Sequence, residues 1–170
     1  MSTLVILTGN IGTGKTTFRK KLEQKDRGRV IICPDEYEGT QMEKERKVLI
    51  EIMKGFDSNK TIIMDGPNVM RIDRSSFLEL AKRNKYKTII FDFGQGNEES
   101  LKRRIISNSE LSAEEWKEVH KRNHMLYQQP EYSYDSCDKI IRVREEKENN
   151  CKRFEFMEET YKSDTFIEGI

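Results

Sequence analysis

"LVILTGNIGTGKTTF", Leu4 to Phe18, decides how the rest of this 170-residue chain is read. An apolar run of strand length leads into a glycine-rich turn and then into Lys-Thr-Thr. The run is continuous rather than alternating, as in a strand covered on both faces. After it, Phe18 and Leu22 stand four apart, which is helical spacing. Gly9 to Thr16 reads G-N-I-G-T-G-K-T, a complete GxxxxGK[ST] between a strand and a helix. A glycine turn with a chance lysine has no need of both flanks.

The chemistry follows from the spacing. Gly9, Gly12 and Gly14 let successive backbone N–H groups turn inward around phosphate oxygens, and the helix that starts here adds its positive end. Lys15 supplies a cation to the β and γ phosphates, and Thr16 a hydroxyl to Mg²⁺. The nucleotide contacts expected are Gly9, Asn10, Ile11, Gly12, Thr13, Gly14, Lys15, Thr16 and Thr17. The stretch reads as a holder of a nucleoside triphosphate.

Further strand-length apolar runs occur at Val30–Cys33, Thr61–Met64, Thr88–Phe93 and Lys139–Val143. Helical spacing fills Lys15–Gln24, Gln41–Gly55 and Ser75–Asn84. Such alternation predicts an α/β fold with a parallel five-stranded sheet and helices on both faces. Two more helices, Glu98–Ser107 and Ser112–Tyr127, flank the polar "SNSELS" and make a small helical lid; "SAEE" at the start of the second matches a capping box. From Arg144 onward the chain turns charged, with Phe154, Phe156, Tyr161 and Phe166 scattered through it. We expect residues 1–143 to form the domain and 144–170 a tail packed on it, with a helix or a partly ordered segment both open.

A length of 170 residues suits one domain with one site. Apolar content of 35% against 36% charged, with no long apolar window, predicts no membrane association and a soluble, cytoplasmic protein. Cys33, Cys137 and Cys151 form no CxxC pair and read as reduced thiols. A net charge of +1 excludes a strongly basic nucleic-acid binder, although Arg71 to Lys87 is a short basic segment. Composition leaves the oligomeric state undetermined.

Candidate catalytic groups lie at strand ends, where parallel sheets gather their ligands. Asp65, in "TIIMDGPN", is placed for Mg²⁺ or acceptor contact; Asp92, flanked by phenylalanines, reads as structural or as a contact to the base. Asp35, in "CPDEYEG", faces the phosphate loop across the first α/β unit, where a carboxylate accepts the proton of an attacking hydroxyl. Glu36 and Glu38 compete for that role. Arg103 and Arg104 on the lid are placed to stabilise the transferring phosphate. His120 and His124, four apart without a further ligand motif, read as solvent-facing residues rather than a metal site.

Taken in order, "GNIGTGKTT", "CPDEYEG", "IIMDGPN", "ESLKRRIISN" and "MLYQQPEYSYDSCDKIIRV" resemble the P-loop kinases that include the phage-type polynucleotide 5′-kinases and the zeta-toxin-like kinases. The likeness spans about Leu4 to Val143. It implies a P-loop NTPase (adenylate-kinase-like) fold, ATP and Mg²⁺ as cofactors, Lys15 and Thr16 on the triphosphate, Asp35 as general base, Asp65 in the acceptor pocket, and a lid arginine at the transferring phosphate. The chain departs from the polynucleotide kinases in two places. Glu38 stands where they carry an arginine that grips an acceptor phosphate, and Ser107 where they carry a second lid arginine. A carboxylate at 38 repels an acceptor phosphate, so a replacement grip is expected in the basic segment, starting at Arg71. The reading is an ATP-dependent kinase acting on the 5′-hydroxyl of RNA or DNA. A small-molecule kinase acting on a nucleoside, nucleotide or sugar is the alternative, followed by a nucleotide-binding switch without phosphotransfer.

Overall fold

Thr3–Thr8 is buried at every position after the first because it has a strand on each side of it. The computed structural model describes residues 2–25, 28–148 and 151–159. Its elements are β1 (Thr3–Thr8), α1 (Lys15–Lys25), β2 (Val30–Ile32), a 3-10 turn (Pro34–Glu36), α2 (Gln41–Asp57), β3 (Ile62–Asp65), α3 (Arg71–Arg83), β4 (Lys87–Asp92), α4 (Glu98–Ser107), α5 (Ala113–Leu126), β5 (Lys139–Glu148) and β6 (Cys151–Glu158). The sheet order is β2-β3-β1-β4-β5-β6. Leu4 stands opposite Ile62 of β3 and Thr88 of β4, both parallel to β1.

Alternation along β1 sorts its side chains between two layers. Leu4 and Ile6 join Val48, Ile52 and Phe56 of α2 and Leu78 and Ala81 of α3. Val5 and Leu7 join Phe18 of α1, with Ile63, Phe93 and Val143. Burying each large aliphatic side chain contributes about 1.5–3 kcal/mol, so both layers hold the strand that feeds the phosphate loop. Gly55, inside α2, lets that helix approach the sheet: a Cβ there would stand 2.7 Å from the Ile62 side chain.

The five parallel strands match the expected fold class, and a sixth strand corrects the count. β6 runs antiparallel to β5, pairing Val143 with Phe156 and Glu145 with Phe154. Phe154 and Phe156 are two apart, the period of a strand. Their rings lie 6.4 and 5.7 Å from that of Phe18, and they also meet Phe93 and Phe91. β5 runs on past position 143 to Glu148. Tyr161 and Phe166, and the side chain of Cys151, lie outside the described residues.

Caps set the remaining boundaries. α3 starts four residues before the expected Ser75 because the Asp73 carboxylate accepts a hydrogen bond from the Met70 N–H at 3.0 Å. At the start of α5, the Ser112 hydroxyl and Glu115 form the capping box read from "SAEE". No helix among the described residues is long and apolar enough to cross a membrane.

Candidate active site

The phosphate loop is held from below by its neighbours. Gly9 N–H donates to Pro67 O, Asn10 N–H to Gly94 O and Ile11 N–H to the Asn10 side-chain oxygen. The Asn10 amide nitrogen donates to Gln95 O at 2.9 Å and His120 O at 3.0 Å, tying the loop to the lid. Asn10 is wholly buried, so its side chain acts as a strut. The next bonded amide is that of Phe18, on Gly14 O. Among the described residues, the N–H groups from Gly12 through Thr17 make no hydrogen bond, a run of donors at the positive end of α1. Gly12, at φ +69°, is closed in by the lid: a Cβ there would sit 1.9 Å from Ser100 O. Gly14, at φ +102°, has the Phe154 ring 3.0 Å from where a Cβ would stand.

Lys15 lies beneath these donors, with Nζ donating to Gly9 O at 2.7 Å and Asn10 O at 2.6 Å. Burial lowers its pKa from 10.5 to about 8, with the carboxylates of Asp65 and Asp35 opposing the fall and the charge of Arg104 adding to it. The loop thus brings Lys15, Asp35, Asp65 and Arg104 into one electrostatic neighbourhood.

The three carboxylates of "CPDEYEG" are separated by their partners. Arg19, on α1, pairs through Nη2 with Glu36 at 2.5 Å, through Nε with Asp65 at 2.9 Å and through Nη1 with Glu23 at 3.3 Å. Glu36 is thereby pinned, whereas Asp35 is exposed on the 3-10 turn with no side-chain hydrogen bond or ion pair among the described residues. Glu38 is exposed too. Burial raises the pKa of Asp65 above the usual carboxylate value, against the pull of Lys15 and Arg19. The Asp92 carboxylate is taken up by the Tyr127 hydroxyl at 2.7 Å, Arg142 at 2.5 Å and the Gly94 N–H at 2.9 Å, a structural role.

A groove of ≈ 290 Å³ opens at the end of β3 between α2 and α3. Asp65, Gly66 and Asn68 line it at the strand end, Pro34, Val48, Leu49, Met64 and Phe77 form its apolar walls, and Lys44 and Glu45 contribute one charge of each sign. Glu38 does not line it, so the repulsion expected of that carboxylate is not aimed into the groove. Neither does Arg71, whose guanidinium stacks 3.7 Å over the Tyr134 ring. Arg74, counted in the basic segment, is wholly buried and bonded to both oxygens of Asp135 at 2.8 and 3.0 Å. The basic segment is therefore not one patch, and the grip expected there is not formed at the groove.

On the other side of the loop a cavity of ≈ 470 Å³ is bounded by Thr13, Phe93, Arg103, Val143 and Phe154. Arg103 faces this cavity, whereas Arg104 stacks 4.3 Å over the Trp116 ring. His120 is half-buried, with Nε2 3.4 Å from the Ser100 hydroxyl, which corrects its reading as solvent-facing; His124 is exposed. No group of three metal-ligating side chains occurs among the described residues. Burial pushes the thiols of Cys33 and Cys137 up to about 12, so neither is a nucleophile at neutral pH.

Sequence reasoning passed over Arg19 and Trp116, and read Phe154 as a tail aromatic and not as a neighbour of the loop. Arg19 carried a signal, being four residues after Lys15 on the same helix face and four before Glu23. Trp116 and Phe154 carried none, because their contacts come from other elements.

No family model and no curated protein matches this chain. Solved structures do. A fungal RNA kinase superposes with a TM-score of 0.67 at 20% identity, covering 88% of this chain and 78% of its own. Kti12 of Chaetomium thermophilum, solved with ADP-AlF3, gives 0.61 at 15%, covering 86% and 91%. A structure of the PezAT toxin-antitoxin system of Streptococcus pneumoniae gives 0.61 at 16%, covering 90% and 70%. At such identities the likeness speaks for architecture alone, and in architecture the chain has the P-loop kinase fold.

Proposed function

We propose that this chain is an ATP-dependent kinase that transfers the γ-phosphate to the 5′-hydroxyl of RNA or DNA. The observation that carries the reading is the groove ending on Asp65, beside the buried Lys15 and the exposed Asp35. In this reading the triphosphate lies on the N–H groups of Gly12 through Thr17, and its nucleoside occupies the cavity beside Thr13 and Phe154. Asp35 accepts the proton of the acceptor hydroxyl as its oxygen bonds to the γ-phosphorus and the bond to ADP breaks. Lys15 and a lid arginine, Arg103 or Arg104, neutralise the charge spread over the phosphoryl oxygens.

The donor set fits Mg²⁺, which takes oxygen ligands and keeps several waters when it also holds phosphates. The Thr16 hydroxyl is exposed and uncommitted among the described residues, and a buried carboxylate, Asp65, lies near the loop. Thr16 and Asp65 would hold the ion, which supplies positive charge to the phosphate oxygens.

Two features favour a polynucleotide over a small acceptor. Glu38 does not line the groove, and Lys44, which does so next to Glu45, offers a cation to a backbone phosphate. The test is transfer of labelled γ-phosphate, with Mg²⁺, to 5′-hydroxyl RNA and DNA oligonucleotides, nucleosides, nucleoside monophosphates and sugars. Label is expected on oligonucleotide 5′ ends, with the rate falling by about 10²- to 10⁴-fold in Asp35→Asn. Label on small molecules alone would overturn the polynucleotide acceptor, and label on nothing would overturn the kinase.

A further inference from the structure

We propose that Trp116 is a positioning residue of the lid, its indole face holding the Arg104 guanidinium over the phosphate loop. This rests on the kinase reading and adds to it which arginine acts and what aims it. The backbone of Ser100 lies against Gly12, and Arg104 stands one turn further along α4. The charge of Arg104 is felt by Lys15. Its guanidinium sits 4.3 Å over the Trp116 ring, and its buried Nε makes no hydrogen bond among the described residues.

A guanidinium held by an aromatic face keeps its planar donors uncommitted, whereas one held by a carboxylate would arrive at the phosphate already neutralised. Trp116 is 5% exposed, so the contact is desolvated and strong for its kind. The same indole fixes the far end of α4, donating from Nε1 to Asn108 O at 3.2 Å. One side chain of α5 thus sets both the position of α4 and the direction of its arginine.

Trp116 is the only tryptophan in the chain, so it also reports on the contact. Two measurements on the full chain test the proposal. The first is transfer to a 5′-hydroxyl RNA oligonucleotide by wild type, Trp116→Phe and Trp116→Leu. Trp116→Leu should lose about tenfold in kcat, the rate equivalent of the lost contact, with KM for ATP little changed. Trp116→Phe, which keeps an aromatic face, should recover part of the loss. The second is Trp116 emission on adding Mg·ATP, which should change in the wild type as the guanidinium held on the indole meets the phosphates and stay constant in Arg104→Met.

Unchanged kcat in Trp116→Leu, or equal kcat losses in the Leu and Phe variants, would overturn the proposal. So would an emission change that survives Arg104→Met, or no emission change in wild type. A wild type that phosphorylates no acceptor sinks the kinase reading instead, and the emission measurement then still decides between Trp116 and Arg104 being coupled or not.

Discussion

Replacing Lys15 with methionine should destroy transfer and yet make the ligand-free protein more stable. The side chain is 9% exposed, and burial lowers its pKa from 10.5 to about 8. Holding it charged at pH 7 therefore costs about 3 kcal/mol, at 1.36 kcal/mol per pKa unit. Methionine removes that cost and also removes the Nζ bonds to Gly9 O and Asn10 O. Asn10 O keeps a partner in the Thr13 hydroxyl at 2.7 Å, so one carbonyl is left bare, a loss of about 1 kcal/mol. The net expectation is a gain of about 2 kcal/mol for Lys15→Met at pH 7. Between pH 8 and 10.5 the unfolded lysine binds a proton that the folded one has released, so wild-type stability from this group rises with pH. The advantage of the variant should shrink across that window. Urea unfolding of both proteins at pH 7 and pH 10 measures it. A variant no more stable than wild type at pH 7, or a gap that stays constant to pH 10, would refute the reasoning.

Two further substitutions probe the frame of the site. Arg74→Ala strands the buried Asp135 carboxylate and should cost about 3–5 kcal/mol in urea unfolding, whereas the double replacement Arg74→Met with Asp135→Leu should be close to neutral; a loss below about 1 kcal/mol in the single variant contradicts this. Gly12→Ala puts a Cβ against Ser100 O on a residue at φ +69°, so α4 must shift off the loop. Urea unfolding should show a loss of at least about 1 kcal/mol, since a left-handed alanine alone costs about 1–2 kcal/mol; wild-type stability would show that the lid is not seated on Gly12.

The parallel core was readable because most of its strands are continuous apolar runs and its helices have periodic apolar positions, as with Leu4–Leu7 and with Val48 and Ile52. The phosphate loop was readable because its chemistry is local, eight residues in a fixed order. β6 was not: the apolar pair Phe154 and Phe156 is too short a period-2 signal among charges, and the strand exists because of a pairing with β5 and rings contributed by α1 and β4. The basic segment misled for a similar reason. Arg74 looks like surface in any window of sequence, and only the fold brings Asp135 to it from the loop before β5. What sets Glu36 apart from Asp35 and Glu38 likewise needed Arg19, which reaches Glu36 from a different element.

The bonds under the phosphate loop also govern when it comes into being. Gly9 and Asn10 leave the ribosome well before Pro67 and Gly94, whose carbonyls accept their N–H groups. β1 likewise waits for partners in β3 and β4. Such distant pairing is slow to form in general, because loop-closure entropy is lost before contacts reward it. A nascent chain that stops short of β4 has the whole motif in its sequence and nothing to shape it, so the loop takes its form only once β4 has emerged and docked.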